Sequence, residues 1–230
     1  MRRYLPFVII VGVAVATLGG ATILYRANRS HALVIPHDKV IPANADTTSM
    51  HIRGNPNAPV TLEEFGDFQC PPCGVVAGFV DQLVQEYQPL LRLVFRNFPL
   101  TKHRHARAAA LAAEAAGLQG KFWEMHDLLY REQLAWSEAD QPGKLFEGYA
   151  ATLGLDLAKF KNDIAGEKAS ALVAADLARA EALKVESTPT FFVDNRQLVA
   201  EERNPDGLRA AINAALKKAG ELNRKQSRGD

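Results

Sequence analysis

Cys70 and Cys73 are the only cysteines in this chain of 230 residues, and two prolines separate them. The run before them, Val60-Thr61-Leu62-Glu63-Glu64-Phe65, has the apolar, β-branched character of a strand. The run after them, residues 75–87, has the spacing of a helix. A cysteine pair at a strand-to-helix junction narrows the fold to an α/β unit and reads as a redox pair. A helix start carries unpaired backbone N–H groups and the positive end of the helix dipole. Both favour the thiolate, which is the reactive form of cysteine.

Three other uses of the pair are weaker. A structural zinc site wants four ligands; there is no second cysteine pair, and His51 and His103 stand far from the motif. No metal is therefore expected. An inert disulfide closing so short a loop constrains the unfolded chain little. Two bland buried cysteines fit poorly with the prolines between them.

A length of 230 residues suits one medium domain plus extras, and a hydrophobic fraction of 47% supplies a core. The 27 basic and 26 acidic residues leave a formal charge of +1, which gives no support for a nucleic-acid partner. There is no glycine-rich phosphate loop and no nucleophilic serine motif. No cofactor is expected beyond a redox-active disulfide between Cys70 and Cys73.

Met1-Arg2-Arg3-Tyr4 precedes an uncharged run over residues 7–25, close to the length of a bilayer-crossing helix. Positive charge followed by an apolar stretch is an export or anchoring signal. A cut after Ala21 would make it a cleaved signal peptide. The apolar run continues past that point, which favours a retained transmembrane anchor over residues 1–25. Residues 26–50 hold Pro36 and Pro42 and no helical period, and read as a linker. Disulfides persist outside the cytosol. The body of the protein is therefore expected on the outer, extracytoplasmic face of the membrane.

The folded domain is expected over residues 51–219. His51-Ile52-Arg53 reads as a short strand, Val60 to Phe65 as the first firm one, and residues 90–95 as its parallel partner across the motif helix. Helical patterns follow over residues 103–116, 121–130, 144–153, 156–164 and 167–183, an inserted helical region of about 101–186. Thr190-Phe191-Phe192-Val193, a turn at Asp194-Asn195-Arg196, and Gln197-Leu198-Val199 form a hairpin. Asn204 caps a last helix with Pro205 at its first position, running to about residue 219. Residues 220–230 read as a charged, frayed tail. Lys102-His103-Arg104-His105 reads as a solvated helix start, and His126-Asp127 has no partner that would make it catalytic.

Three stretches resemble the DsbA-like branch of the thioredoxin superfamily. Glu64-Phe65-Gly66-Asp67-Phe68-Gln69-Cys70-Pro71-Pro72-Cys73 is similar to its active-site stretch. Ser187-Thr188-Pro189-Thr190-Phe191-Phe192 is similar to its cis-proline loop. Gly120-Lys121-Phe122-Trp123-Glu124-Met125-His126-Asp127 resembles the insert of its membrane-anchored members. Pro72 departs from the strong oxidants of the family, which carry histidine there.

The resemblance implies a thioredoxin-like α/β fold with a helical insert and a protein thiol–disulfide oxidoreductase. Cys70 is then the attacking cysteine and Cys73 the resolving one. Glu64 is the buried acid that relays a proton for Cys73. Strand alternation puts Glu63 and Glu64 on opposite faces, so only one is expected to point inward. Thr188 and a cis Pro189 would bind substrate backbone beside Cys70. The implied partners are unfolded or reduced exported proteins and a quinone-linked membrane reoxidase. With no dimerisation segment apparent, a monomer is expected. A thiol reductase, and a holdase or metal-handling module on the same fold, stay open as alternatives. Proline suits a first helical turn, yet Pro71 and Pro72 remove two N–H donors from Cys70 and leave mainly the Cys73 N–H. The Cys70 pKa is accordingly expected between roughly 3.5 and 7.

Overall fold

The computed structural model describes residues 51–228. The anchor reading of residues 1–25 and the linker reading of 26–50 lie outside them. Among the described residues no helix is long and apolar enough to cross a membrane.

Val60–Gly66 (β2) and Leu91–Asn97 (β3) run parallel, with Leu62 beside Leu93 and Glu64 beside Phe95. Pro71–Glu86 (α1) is the crossover between them. His51–Gly54 (β1) pairs antiparallel with β3, and Thr190–Val193 (β4) pairs antiparallel with β2. Arg196–Gln197 (β5) completes a five-stranded sheet of order β1-β3-β2-β4-β5. The hairpin turn is Asp194-Asn195, with φ of 47° and 67°, which suits the two-residue turns that match strand twist. Arg196, read from the sequence as part of the turn, is instead paired with Val193.

Between β3 and β4 lie Ala106–Gly117 (α2), Phe122–Arg131 (α3), Gln133–Ser137 (α4), Pro142–Thr152 (α5), Leu157–Ala165 (α6) and Glu167–Ala182 (α7). The fold is the α/β thioredoxin-like one with an inserted helical region. The short α4 has too few residues to show a period, and the sequence reading has no counterpart for it. Helix α2 is buried nearly all round: Ala109, Ala112, Ala113 and Ala116 have no exposed surface, so neighbouring helices approach its backbone closely. Asp156 caps α6 by accepting the Lys159 N–H at 3.0 Å. Asn204 Oδ1 accepts the Gly207 N–H at 3.0 Å and opens Pro205–Arg228 (α8). That helix passes residue 219, so the segment read as a frayed tail is helical to Arg228. Glu221, Leu222 and Arg224 are good helix formers, and no proline follows Gly220 to stop them.

Both faces of the sheet are covered. Leu62, Leu93, Phe191 and Val193 pack with Val80, Leu83 and Val84 of α1 and Leu208 and Ile212 of α8. On the other face Phe65 and Phe192 pack with Ala180 of α7 and with Val185. This double cover corrects the expectation about the two glutamates. Glu63 and Glu64 do point to opposite faces, yet both are buried, at 6% and 2% exposure. Glu63 is buried as an ion: it accepts from Arg96 Nε at 3.0 Å and Arg179 Nε at 2.6 Å, and Arg96 also reaches Asp176 at 3.1 Å. Buried charges persist only when paired in this way.

Candidate active site

Cys70 is the residue just before α1, with extended backbone (φ −74°, ψ 118°), and Pro71 and Pro72 fill the first helical positions. Its sulfur is therefore held at the amino-terminal end of the helix. Cys73 sits one turn in and has no exposed surface, against 5% for Cys70. Both are free thiols in the structure. The Cys70 carbonyl accepts the Gly74 N–H at 3.2 Å, which starts the helical ladder.

The pair is split electrostatically. The Cys70 pKa falls from 9.0 to about 6, chiefly because the Cys73 thiol donates to its sulfur; burial opposes this, and the Thr188 side chain and the Cys73 N–H reinforce it. That Cys73 is the backbone donor agrees with two prolines having removed the alternatives. Burial is the main cause that pushes Cys73 well up, with the Cys70 and Glu64 charges adding to it. At neutral pH one sulfur is a ready thiolate and its neighbour a thiol.

The Thr188–Pro189 peptide is cis, as the sequence reading expects. As a thiol, Cys70 donates to the Thr188 carbonyl oxygen at 3.4 Å. The Thr188 hydroxyl is buried with no hydrogen-bond partner among the described residues, which leaves it free to donate to a Cys70 thiolate. A groove of about 330 Å³ opens here, with Cys70, Pro71 and Pro72 facing Lys102 and His103 on one side and Glu186, Ser187 and Thr188 on the other.

Asp67, quoted in the active-site stretch but given no role there, organises the approach to the groove. It is 1% exposed; one oxygen accepts the Gln69 N–H at 2.7 Å, and the other accepts the Leu100 N–H at 2.9 Å and His103 Nδ1–H at 2.6 Å. His103 is thus fixed at the groove wall rather than sitting on a solvated helix face. His105 is also buried, its N–H donating to Gln69 Oε1 at 2.6 Å. The helix starts only at Ala106, so these residues form the turn that packs against the motif loop. No local sequence signal separates such a turn from a helix start. Gln133 of α4 is a further member: its Nε2 donates to the Phe68 and Cys70 carbonyls at 2.7 and 2.9 Å.

Glu64 lies on the α1 side of the sheet. Burial raises its pKa from 4.5 to about 8, and its Oε1 is buried without a partner among the described residues. It is close enough to Cys73 for its charge to act there. Cys70, Cys73, Glu64, Thr188 and Pro189 are therefore gathered in one place.

The family profile described as thioredoxin matches residues 46–214. The chain belongs to the thioredoxin family. Among solved structures, this thioredoxin-family chain is similar to a thioredoxin-like oxidoreductase from Silicibacter pomeroyi DSS-3, with TM-score 0.63 and 29% identity over 74% of this chain and 94% of that one. Its fold is also that of BdbD from Bacillus subtilis, with TM-score 0.65 and 24% identity over 75% of this chain and 95% of that one. Its curated relatives include a protein named Na(+)/H(+) antiporter NhaA 1 from Salinispora arenicola, 38% identical over 90% of this chain. The match takes in 32% of that relative, so the chain spans about a third of its length.

Proposed function

We propose that this chain is a DsbA-like protein thiol–disulfide oxidoreductase that oxidises cysteine pairs of exported proteins. The observation that carries the reading is the Cys70 sulfur, held at a helix start with a pKa of about 6 and 3.4 Å from the Thr188 carbonyl next to a cis proline. A low-pKa thiol is a good leaving group in disulfide exchange, which favours passing the disulfide on.

In the forward direction a substrate thiolate attacks Cys70 of the Cys70–Cys73 disulfide. The sulfur–sulfur bond breaks, its electron pair stays on Cys73, and Cys73 takes a proton from the Glu64 carboxyl. A second substrate thiolate attacks the substrate sulfur of the mixed disulfide and expels Cys70 as a thiolate. The substrate leaves oxidised by two electrons. An extended substrate segment would pair with the backbone at Thr188 as an added strand. The substrates are unfolded or reduced chains, and a quinone-linked membrane protein reoxidises the pair. The domain works as a monomer on the extracytoplasmic face of a bacterial inner membrane, tethered by residues 1–25. What supports this placement is the charge pattern of that segment and the need for a compartment where disulfides persist.

The test is oxidation of reduced, unfolded ribonuclease by the oxidised chain, compared with Cys70→Ser. Equal rates for the two proteins would replace this reading with that of a binding module. The direction is read from the potential of the pair against glutathione: a value near −120 mV marks an oxidant and one near −270 mV a reductant.

The antiporter relatives favour a second reading, in which the same exchange serves a neighbouring ion transporter. Cross-linking of a Cys73→Ser variant in membranes would trap its partners as mixed disulfides. Recovery of a transporter, in place of assorted exported chains, would favour it.

A further inference from the structure

Glu64 is buried and does not line the groove at Cys70, and the polar groups around it are unfinished. Among the described residues, Glu64 Oε1, Tyr130 Oη and His126 Nε2 are all buried without a hydrogen-bond partner. Such groups in a native fold call for an explanation. The three are neighbours. Tyr130 feels the charges of Cys73 and Glu64, and its Oη is 2.9 Å from where a Cβ on Gly66 would lie. The His126 and Tyr130 rings meet edge to face, 4.9 Å between centroids. Both also line a cavity of about 310 Å³ between α1 and α3, bounded by Gly74, Ala77, Gly78 and Arg131. It opens to solvent beside the exposed Gly78 and Arg131 and is separate from the groove at Cys70. A cavity of that size, with His126, Tyr130 and Arg131 on its wall, has room and polar partners for water.

We propose that Tyr130 and His126, with water in this cavity, form the route by which Glu64 exchanges protons with solvent. The route rests on the exchange chemistry proposed above. His126 is built for it. Its Nδ1–H donates to Asp127 Oδ1 at 2.9 Å, which leaves Nε2 as a free acceptor. Asp127 is held in turn by Arg53 at 2.7 Å, and Arg53 by Asp81 at 2.6 Å. Burial keeps the imidazole neutral. The charged groups facing His126 are Asp127 on its own helix, Arg53 on β1 and Asp81 on α1; those facing Cys73 are Glu64, Cys70 and Tyr130. When Cys73 attacks a mixed disulfide on Cys70, its proton passes to the Glu64 carboxylate, the leaving thiolate departs, and a new Cys70–Cys73 bond forms. Glu64 then returns the proton to solvent through Tyr130, water and His126. When the disulfide is reduced, the proton travels the other way. Tyr130 and His126 act through Glu64 and are positioning residues.

The test uses the full chain with glutathione attached to Cys70, and follows glutathione release by Cys73 in a single turnover. Tyr130→Phe and His126→Ala should each slow release about tenfold, a fraction of what proton transfer contributes. Alkylation of Cys70 against pH should stay unchanged. Imidazole should restore the rate of His126→Ala by entering the open cavity. Gly78→Leu, at a position where a Cβ meets nothing within 4 Å, should cover the cavity mouth and slow release without touching either residue. Wild-type release rates in Tyr130→Phe and Gly78→Leu would overturn the proposal, as would slowing in His126→Ala that imidazole leaves unrepaired. Failure of the wild-type chain to release glutathione at all would instead overturn the oxidoreductase reading.

Discussion

The Cys70 sulfur and the Thr188 carbonyl oxygen stand 3.4 Å apart across the head of the groove. The contact joins the start of α1 to the cis-proline loop, two segments separated by the whole helical insert. It also places an acceptor beside a sulfur that is most useful as an anion. The thiolate is therefore held by donors other than this carbonyl: the Cys73 thiol and N–H, and the Thr188 side chain.

Titration of the thiolate absorbance at 240 nm should give a midpoint of about 6 for Cys70. Thr188→Val removes a hydroxyl donor and should raise the midpoint, whereas Pro72→Ala restores an N–H at the helix start and should lower it by roughly half a unit. The linked effect on stability has a definite sign. The folded pKa lies below the unfolded one, so reduced protein should gain stability over Cys70→Ser as pH rises from about 6 towards 9. Chemical denaturation of the two across that range checks it.

Glu64 behaves in the opposite sense. Its folded pKa of about 8 lies above the ordinary 4.5. Between those values the unfolded chain sheds a proton that the folded one keeps, so Glu64 progressively destabilises the fold as pH rises. Glu64→Gln should thus be more stabilising at pH 8 than at pH 4.5, by on the order of 3 kcal/mol. The same variant should slow glutathione release by Cys73. Equal stability gains at both pH values would show the carboxyl to be solvated.

The buried ion cluster behind the sheet makes a separate prediction. Asp176 accepts from Arg96 Nη1 at 3.1 Å and from the Asn97 N–H at 2.8 Å, and has no exposed surface. Asp176→Ala removes one partner from a buried charge and should cost about 3 kcal/mol. The loss should appear as a lowered urea midpoint. The Cys70 titration should not move, because the cluster lies on the far side of β2.

Gly66 ends β2 just before the motif loop, and a Cβ there would come within 2.5 Å of the Phe95 ring and 2.9 Å of Tyr130 Oη. The Phe95 ring, fully buried among Phe68, Phe122 and His126, cannot retreat. Gly66→Ala should destabilise the protein by about 1–3 kcal/mol. It should also shift Tyr130, visible as a change in near-ultraviolet circular dichroism.

What could be read in the sequence was what short-range chemistry specifies. The cysteine pair, the strand before it, the parallel crossover and the Asp156 and Asn204 caps all rest on local signals, whereas the cis Pro189 followed from the family resemblance of the Thr188-Pro189 loop. The burial of Glu63 did not show, because strand alternation sorts residues between faces without saying whether both faces are covered; only α7, more than a hundred residues away in the chain, covers that one. His103 and Asp67 meet across a fold boundary, and their contact has no local signature. The Lys102-His103-Arg104-His105 stretch looked solvated because charge patterns cannot distinguish an exposed turn from one folded inward. The orphaned atoms of Tyr130 and His126 became visible only once three elements were packed together.

One carboxamide nitrogen, on Gln133, is tied at once to the peptide oxygens of Phe68 and Cys70. The strand of backbone that delivers the reactive sulfur therefore has no slack of its own. A displacement of α4 would therefore pull on the very peptide unit that carries the reactive sulfur.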